Sequence, residues 1–210
     1  MIQKFNDYDS TQAYSGGSTL PNGAYICKII GAKVEDYTGS QAIKVAFDIA
    51  EGEQKGHFQS QYDSNDNEDK RWPISGTYTL WVPKDDGSQL DGYTKRKFKT
   101  FTNALEDSNS GYHFDWDESK FKGKLIGFTL CSTFYANKDG SKCGFSPAVY
   151  DALPVSKVKS KSYRAIPEHY IPKKLNSKYE EYLKKQQSDS GESINDFVPV
   201  NGGNAEEIPF

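Results

Sequence analysis

AIKVAFDIA, residues 42–50, decides the fold class. Ile43, Val45, Phe47 and Ile49 fall on one side of an extended chain, and Lys44, Ala46 and Asp48 fall on the other. Strict period-two alternation marks a strand with one face in a core and the other toward water. Upstream, the turn Pro21-Asn22-Gly23 leads into AYICKIIGAKV, whose β-branched residues predict a first strand over 24–34. EDYTGSQ, 35–41, reads as the turn between them. Downstream, GHFQSQY (56–62) continues as a short strand and DSNDNEDKRWPISG (63–76) as a polar loop. TYTLWVP (77–83) is the next strand, with Tyr78, Leu80 and Val82 on one face and Thr77, Thr79 and Trp81 on the other.

The period then changes. Over 92–107, Phe98, Phe101 and Leu105 recur at helical spacing, with Lys95, Arg96, Lys97 and Lys99 around them. Strand character returns over 123–136 and again over 142–150, joined by a turn holding Asp139-Gly140. Three strands, a helix and two strands is the order of an all-β, OB-fold-like five-stranded barrel with its helix between strands three and four. That domain is expected over 20–152. Residues 1–19 are polar and rich in Gly, Ser and Thr, and read as a flexible arm. From 153 to 187 the chain is basic and punctuated by Pro154, Pro167 and Pro172, which predicts an extended wrapping arm and then a short helix over 174–187. Residues 188–210 are polar and acidic; they offer too little apolar surface to offset ordering entropy and are expected to be disordered.

Hydrophobic residues make up 35% of the chain and aromatics 14%, so a core built from rings leaves rings over for a surface. Net charge is −3, but residues 188–210 hold Asp189, Glu192, Asp196, Glu206 and Glu207 with no Lys or Arg. The remainder is slightly basic, with clusters at KRKFK (95–99) and KVKSKSYR (157–164). Cys27, Cys131 and Cys143 form no CxxC pair, which argues against a disulfide framework or a zinc ribbon. No apolar leader or membrane-length run is evident, so a reducing cytoplasm is the expected compartment. Asp63, Asn65 and Asn67 imitate an EF-hand start, but Glu68 stands where the loop needs Gly. His57, His113 and His169 lack metal-ligand spacing. Asp115, Asp117 and Glu118 admit one enzymatic alternative, a metal-dependent nuclease or recombination factor, against the simpler reading of a charged turn. No catalytic residue, metal or cofactor is expected.

The last six residues, Ala205-Glu206-Glu207-Ile208-Pro209-Phe210, resemble the C-terminal tip of bacterial single-stranded DNA-binding proteins, with two glutamates where that family carries aspartates. LPNGAYICKI, IKVAFDIAEGEQKGHF and FTNALEDSNSGYHFDWDESKFKGKLIGFTL, spread over 18–152, are similar to a family of phage replication-module proteins that bind single-stranded DNA. The resemblance implies a protein that coats and protects single-stranded DNA in replication, recombination and repair. It also implies that Glu206, Glu207, Ile208, Pro209 and Phe210 recruit replication or recombination proteins. Homo-oligomerisation is compatible with it, and a phage structural or assembly protein is a further alternative. Single strands are held by rings that stack on bases and by cations that track phosphates. The residues expected to do this are Tyr37 in the first turn, Arg71 and Trp72 in the polar loop, Trp81 on the outer strand face, and Tyr135, Lys138 and Lys142 around the last hairpin. Deleting Phe210 is expected to leave DNA binding intact or slightly tighter and to abolish capture of replication proteins. Strand binding and pull-downs run with and without that residue check both halves.

Overall fold

The computed structural model of the chain describes residues 20–192. The expected arm at 1–19 and, of the tail expected to be disordered over 188–210, all but the helical residues 188–192 lie outside the described residues. The chain divides into two compact units. The first comprises 20–133 and 146–170, the second 134–145 and 171–192, within the described residues.

The first unit is a mostly antiparallel sheet packed on one long helix. Strand β1 (Gly23–Tyr37) pairs antiparallel with β2 (Ser40–Ile49), and β2 with β3 (Thr77–Trp81). The opening residues of β1 also pair antiparallel with β4 (Leu125–Ala136), whose other neighbour is β5 (Cys143–Leu153). The sheet therefore runs β3-β2-β1-β4-β5, and the two-residue β6 (His169–Tyr170) adds to β4 in parallel. A register shift between Ile29 and Gly31 bends β1, which serves both neighbours. Ile43, Val45, Phe47 and Ile49 of β2 are all buried as expected, but Asp48, on the face expected toward water, is buried too.

Two local expectations need correction. The turn expected at 35–41 shrinks to Thr38-Gly39, because Gly39 takes φ 71° and closes a tight hairpin with Tyr37 opposite Ser40. The strand expected at 56–62 is instead helix α1 (His57–Asp63). Gly56 at φ 76° turns the chain out of the extended direction. The buried Asp48 carboxylate then accepts the N–H groups of Ile49 and Phe58, both at 2.9 Å. Only Phe58 is buried in this segment, against Phe47 at 5.4 Å; one anchor per two turns suits a surface helix and leaves no alternating face for a strand.

Helix α2 (Gln89–Ser108) follows β3 and precedes β4 in the chain. Ser88 caps it by accepting the Asp91 N–H. Asp91, itself buried, accepts the N–H groups of Lys84 and Asp85 and pairs with Lys95, which holds its carboxyl below the usual carboxylate range. The helix presents Phe98, Phe101 and Leu105 to the sheet. Phe101 meets Tyr78 at 5.6 Å, Phe121 at 5.5 Å and Phe128 at 6.4 Å, so the core is a continuous stack of rings. The basic stretch after β5 begins as a short helix, α3 (Val155–Lys159), set close against the sheet at Gly127, where a Cβ would lie 2.6 Å from Val158. Asn22 ties this stretch down by donating to the carbonyls of Pro167 and Glu168.

In the second unit the tip of the β4–β5 hairpin packs on α4 (Asn176–Glu192), which continues past the expected end at 187. Phe134, Phe145, Tyr179 and Tyr182 form its core, and Lys178 donates to the carbonyls of Asn137 and Lys138 at the hairpin turn. Among the described residues no helix is long and apolar enough to cross a membrane. Replacing Phe101 by Ala is expected to cost about 3–5 kcal/mol of stability, since it leaves a cavity where three rings meet. Urea unfolding measures the loss.

Candidate nucleic-acid interface

The two ends of the sheet path, β3 and β5, both line one open groove of about 640 Å³ beside α2. Strand alternation sets its first wall. Tyr78 and Leu80 turn inward, so Thr79 and Trp81 turn outward, and Trp81 is 46% exposed. The helix sets the second wall. With Phe98 and Phe101 committed to the core, Tyr93, Thr94 and Lys97 lie along the groove, Tyr93 and Lys97 one turn apart. The third wall is Val149, Tyr150 and Asp151 of β5, joined by Arg164 and by Tyr170 of β6.

These side chains hold one another in place. The Arg164 guanidinium lies 4.0 Å from the Tyr150 ring centroid, and Tyr170 meets Tyr150 edge-on at 5.4 Å. Arg164 Nε donates to Asp151 Oδ2, while Lys97 Nζ reaches Asp151 Oδ1 at 3.2 Å. The Asp151 N–H donates to the buried Thr129 hydroxyl on β4 at 3.0 Å, which anchors the backbone at this position. Lys97 also lies 6.0 Å from the Tyr93 ring. At the β3 end, Trp81 packs on Tyr37 at 5.3 Å, and Lys44 sits 5.8 Å from the Tyr37 ring while donating to Thr79 at 2.8 Å. Exposed rings next to oriented cations can stack flat apolar faces and hold anions in the same place.

Of the residues expected from sequence, Trp81 lines this groove and Tyr37 packs beside it. Trp72 is placed differently. Its Nε1–H donates to the Gly76 carbonyl at 2.9 Å, and its ring meets Tyr62 at 5.7 Å on the edge of the core. Gly76 leaves no room for a Cβ between Trp72 and Phe58, so the indole braces the loop before β3. Arg71 is exposed on that loop. Tyr135, Lys138 and Lys142 are exposed on the hairpin of the second unit, where the Lys142 N–H donates to Asn137 Oδ1.

No family model and no curated protein matches the chain. The groove therefore rests on its own geometry. Five of its residues were not among those expected to bind: Tyr93, Lys97, Tyr150, Arg164 and Tyr170, although Lys97 and Arg164 stand in the basic clusters at 95–99 and 157–164. Lys97 belonged to a run that reads as a solvated helix face, and the tyrosines carried no local signature. The acidic turn is engaged elsewhere: Asp115 pairs with Lys120, and Asp117 caps a 3₁₀ turn through the Ser119 N–H at 3.1 Å. Among the described residues no group of three or more His, Cys, Asp or Glu side chains is arranged around a metal position.

Tyr78 closes the floor of the groove, and its phenol is pushed up to about 12, chiefly by burial and then by Tyr93 and Asp151. The neutral phenol is the form the core holds. Its share of stability is intact below the unfolded value of 10.0 and is lost as pH rises toward 12. The loss is expected to reach roughly 2–3 kcal/mol. Denaturant titrations between those pH values show it, and Tyr78→Phe makes the alkaline decline shallower.

Proposed function

We propose that this protein binds single-stranded DNA in the groove between β3, β5 and α2, and that it coats and protects the strand during replication or recombination. One observation carries the reading: Trp81, Tyr93, Tyr150 and Tyr170 share a groove with Lys97 and Arg164. An unpaired strand is the polymer that offers both a flat face at each base and a phosphate between bases. A paired base has its faces covered by its neighbours and cannot enter such a row of rings.

A path of β3-β2-β1-β4-β5 is the strand order of an OB-like barrel opened between its third and fifth strands, and α2 lies in the chain where that barrel has its helix. OB-folds bind oligonucleotides on the face of strands two and three, which here carries Lys44, Thr79 and Trp81 beside Tyr37. The acidic tip at 206–210 supports a partner-recruiting role through its resemblance alone. Its terminal ring and preceding carboxylates have the chemistry to fill an apolar pocket with a basic rim.

Titration with oligo-dT at several salt concentrations tests the reading. Tryptophan fluorescence is expected to quench on binding, and the affinity to fall as salt rises, because each phosphate contact releases counterions. Replacing Trp81 or Tyr150 by Ala is expected to weaken binding by roughly 1–3 kcal/mol per lost stack. Trp81 is half exposed, so its replacement leaves the domain folded. Failure to bind oligo-dT at micromolar protein, with the fold intact, removes the proposal.

A further inference from the structure

The groove is less basic than its two cations suggest. Of its lining residues only Lys97, Arg164 and Asp151 carry charge, against five aromatic rings. Asp151 is not an incidental neighbour. Its two carboxylate oxygens address different cations, Oδ1 to Lys97 on α2 and Oδ2 to Arg164 on the stretch after β5. Its backbone N–H is held by the Thr129 hydroxyl within the sheet, and its carboxylate is oriented by the two cations themselves. The side chains are 37%, 55% and 25% exposed for Lys97, Arg164 and Asp151, so an incoming phosphate meets all three.

We propose that Asp151 is a specificity-determining residue that makes this groove read bases in preference to backbone. The inference rests on the single-strand-binding reading above. A phosphate arriving between Lys97 and Arg164 finds one net positive charge instead of two, because the carboxylate already neutralises the other. Phosphate attraction alone then holds a polyanion weakly. The rings supply the remainder, and they act only on unstacked bases. The ligand class that follows is a base-bearing single strand, with abasic strand and bare polyanions excluded.

The same carboxylate also ties α2 and the stretch after β5 to the sheet, and a purely structural tie predicts a different result. The measurement is the slope of log affinity against log salt for oligo-dT, in the full chain and in Asp151→Asn. The difference between the two slopes cancels phosphate contacts made elsewhere on the protein. Asp151→Asn keeps the size of the side chain and an oxygen acceptor while removing its charge. It is expected to steepen the slope by roughly 0.7, one added phosphate contact on a single strand. Binding of an abasic oligomer of the same length, lost in the natural protein, is expected to become measurable in this variant. Asp151→Glu restores the charge and returns the slope toward its original value. Lys97→Ala, made with Asp151 in place, is expected to make the slope shallower by a similar amount; it keeps the proposal testable if Asp151→Asn fails to fold. Unchanged slopes in both Asp151→Asn and Lys97→Ala, while Trp81→Ala still weakens oligo-dT binding, overturn the role of Asp151 and leave the groove reading standing. Equal affinity of the natural protein for abasic and base-bearing strands overturns it as well. Loss of all oligo-dT binding in the natural protein overturns the groove reading itself.

Discussion

The packing of Phe101 against Tyr78, Phe121 and Phe128 is the joint on which the rest of the first unit depends. The chain is poor in aliphatic residues, so rings must fill the space between the sheet and its one long helix. A ring is wide and stiff, and it fixes the distance and the rotation of α2 together. That rotation settles the groove. Once Phe98 and Phe101 face inward, Tyr93 and Lys97 have only the groove side left to them. Once Tyr78 faces inward, Trp81 must face outward three residues later. Core and site are thus two consequences of one register.

Two carboxylates buried near this joint are each held by backbone donors. Asp48 holds the start of α1 by accepting two backbone N–H groups, and Asp91 holds the chain entering α2 in the same way. Each carboxylate answers backbone donors that neither a strand nor a helix could satisfy at that point. Asp151 differs, because it meets side chains of opposite charge at the surface instead of backbone. Its effect is on what the groove attracts more than on how the chain folds.

Two tryptophans that look alike in the sequence have different duties. Trp81 sits in a strand whose alternation sends it outward, where its ring packs on Tyr37. Trp72 sits in a polar loop and would be judged exposed by composition. Gly76 removes the side chain that would block it, so the indole packs against Tyr62 and bonds the backbone of its own loop. The third, Trp116, is 76% exposed at φ 69° and stacks on Phe98, where it shields the end of the helix stripe.

The sequence by itself determined whatever depends on neighbours in the chain. The alternation at 42–49, the strand at 77–81, the stripe of Phe98, Phe101 and Leu105, and the hairpin around Asp139-Gly140 all follow from local periodicity and turn chemistry. Segment 56–62 reads locally as a strand, and it is helical because of Gly56, Asp48 and the single anchor Phe58. Local reading also placed α4's end short, because a polar helix end carries no apolar period to mark it. Only the tertiary structure decided the groove. Trp81, Tyr93, Lys97, Tyr150, Arg164 and Tyr170 come from strands at opposite ends of the sheet path, from a helix, and from a stretch beyond the last long strand. No spacing relates them, because they meet through the packing of the sheet on α2, which is set by long-range ring contacts.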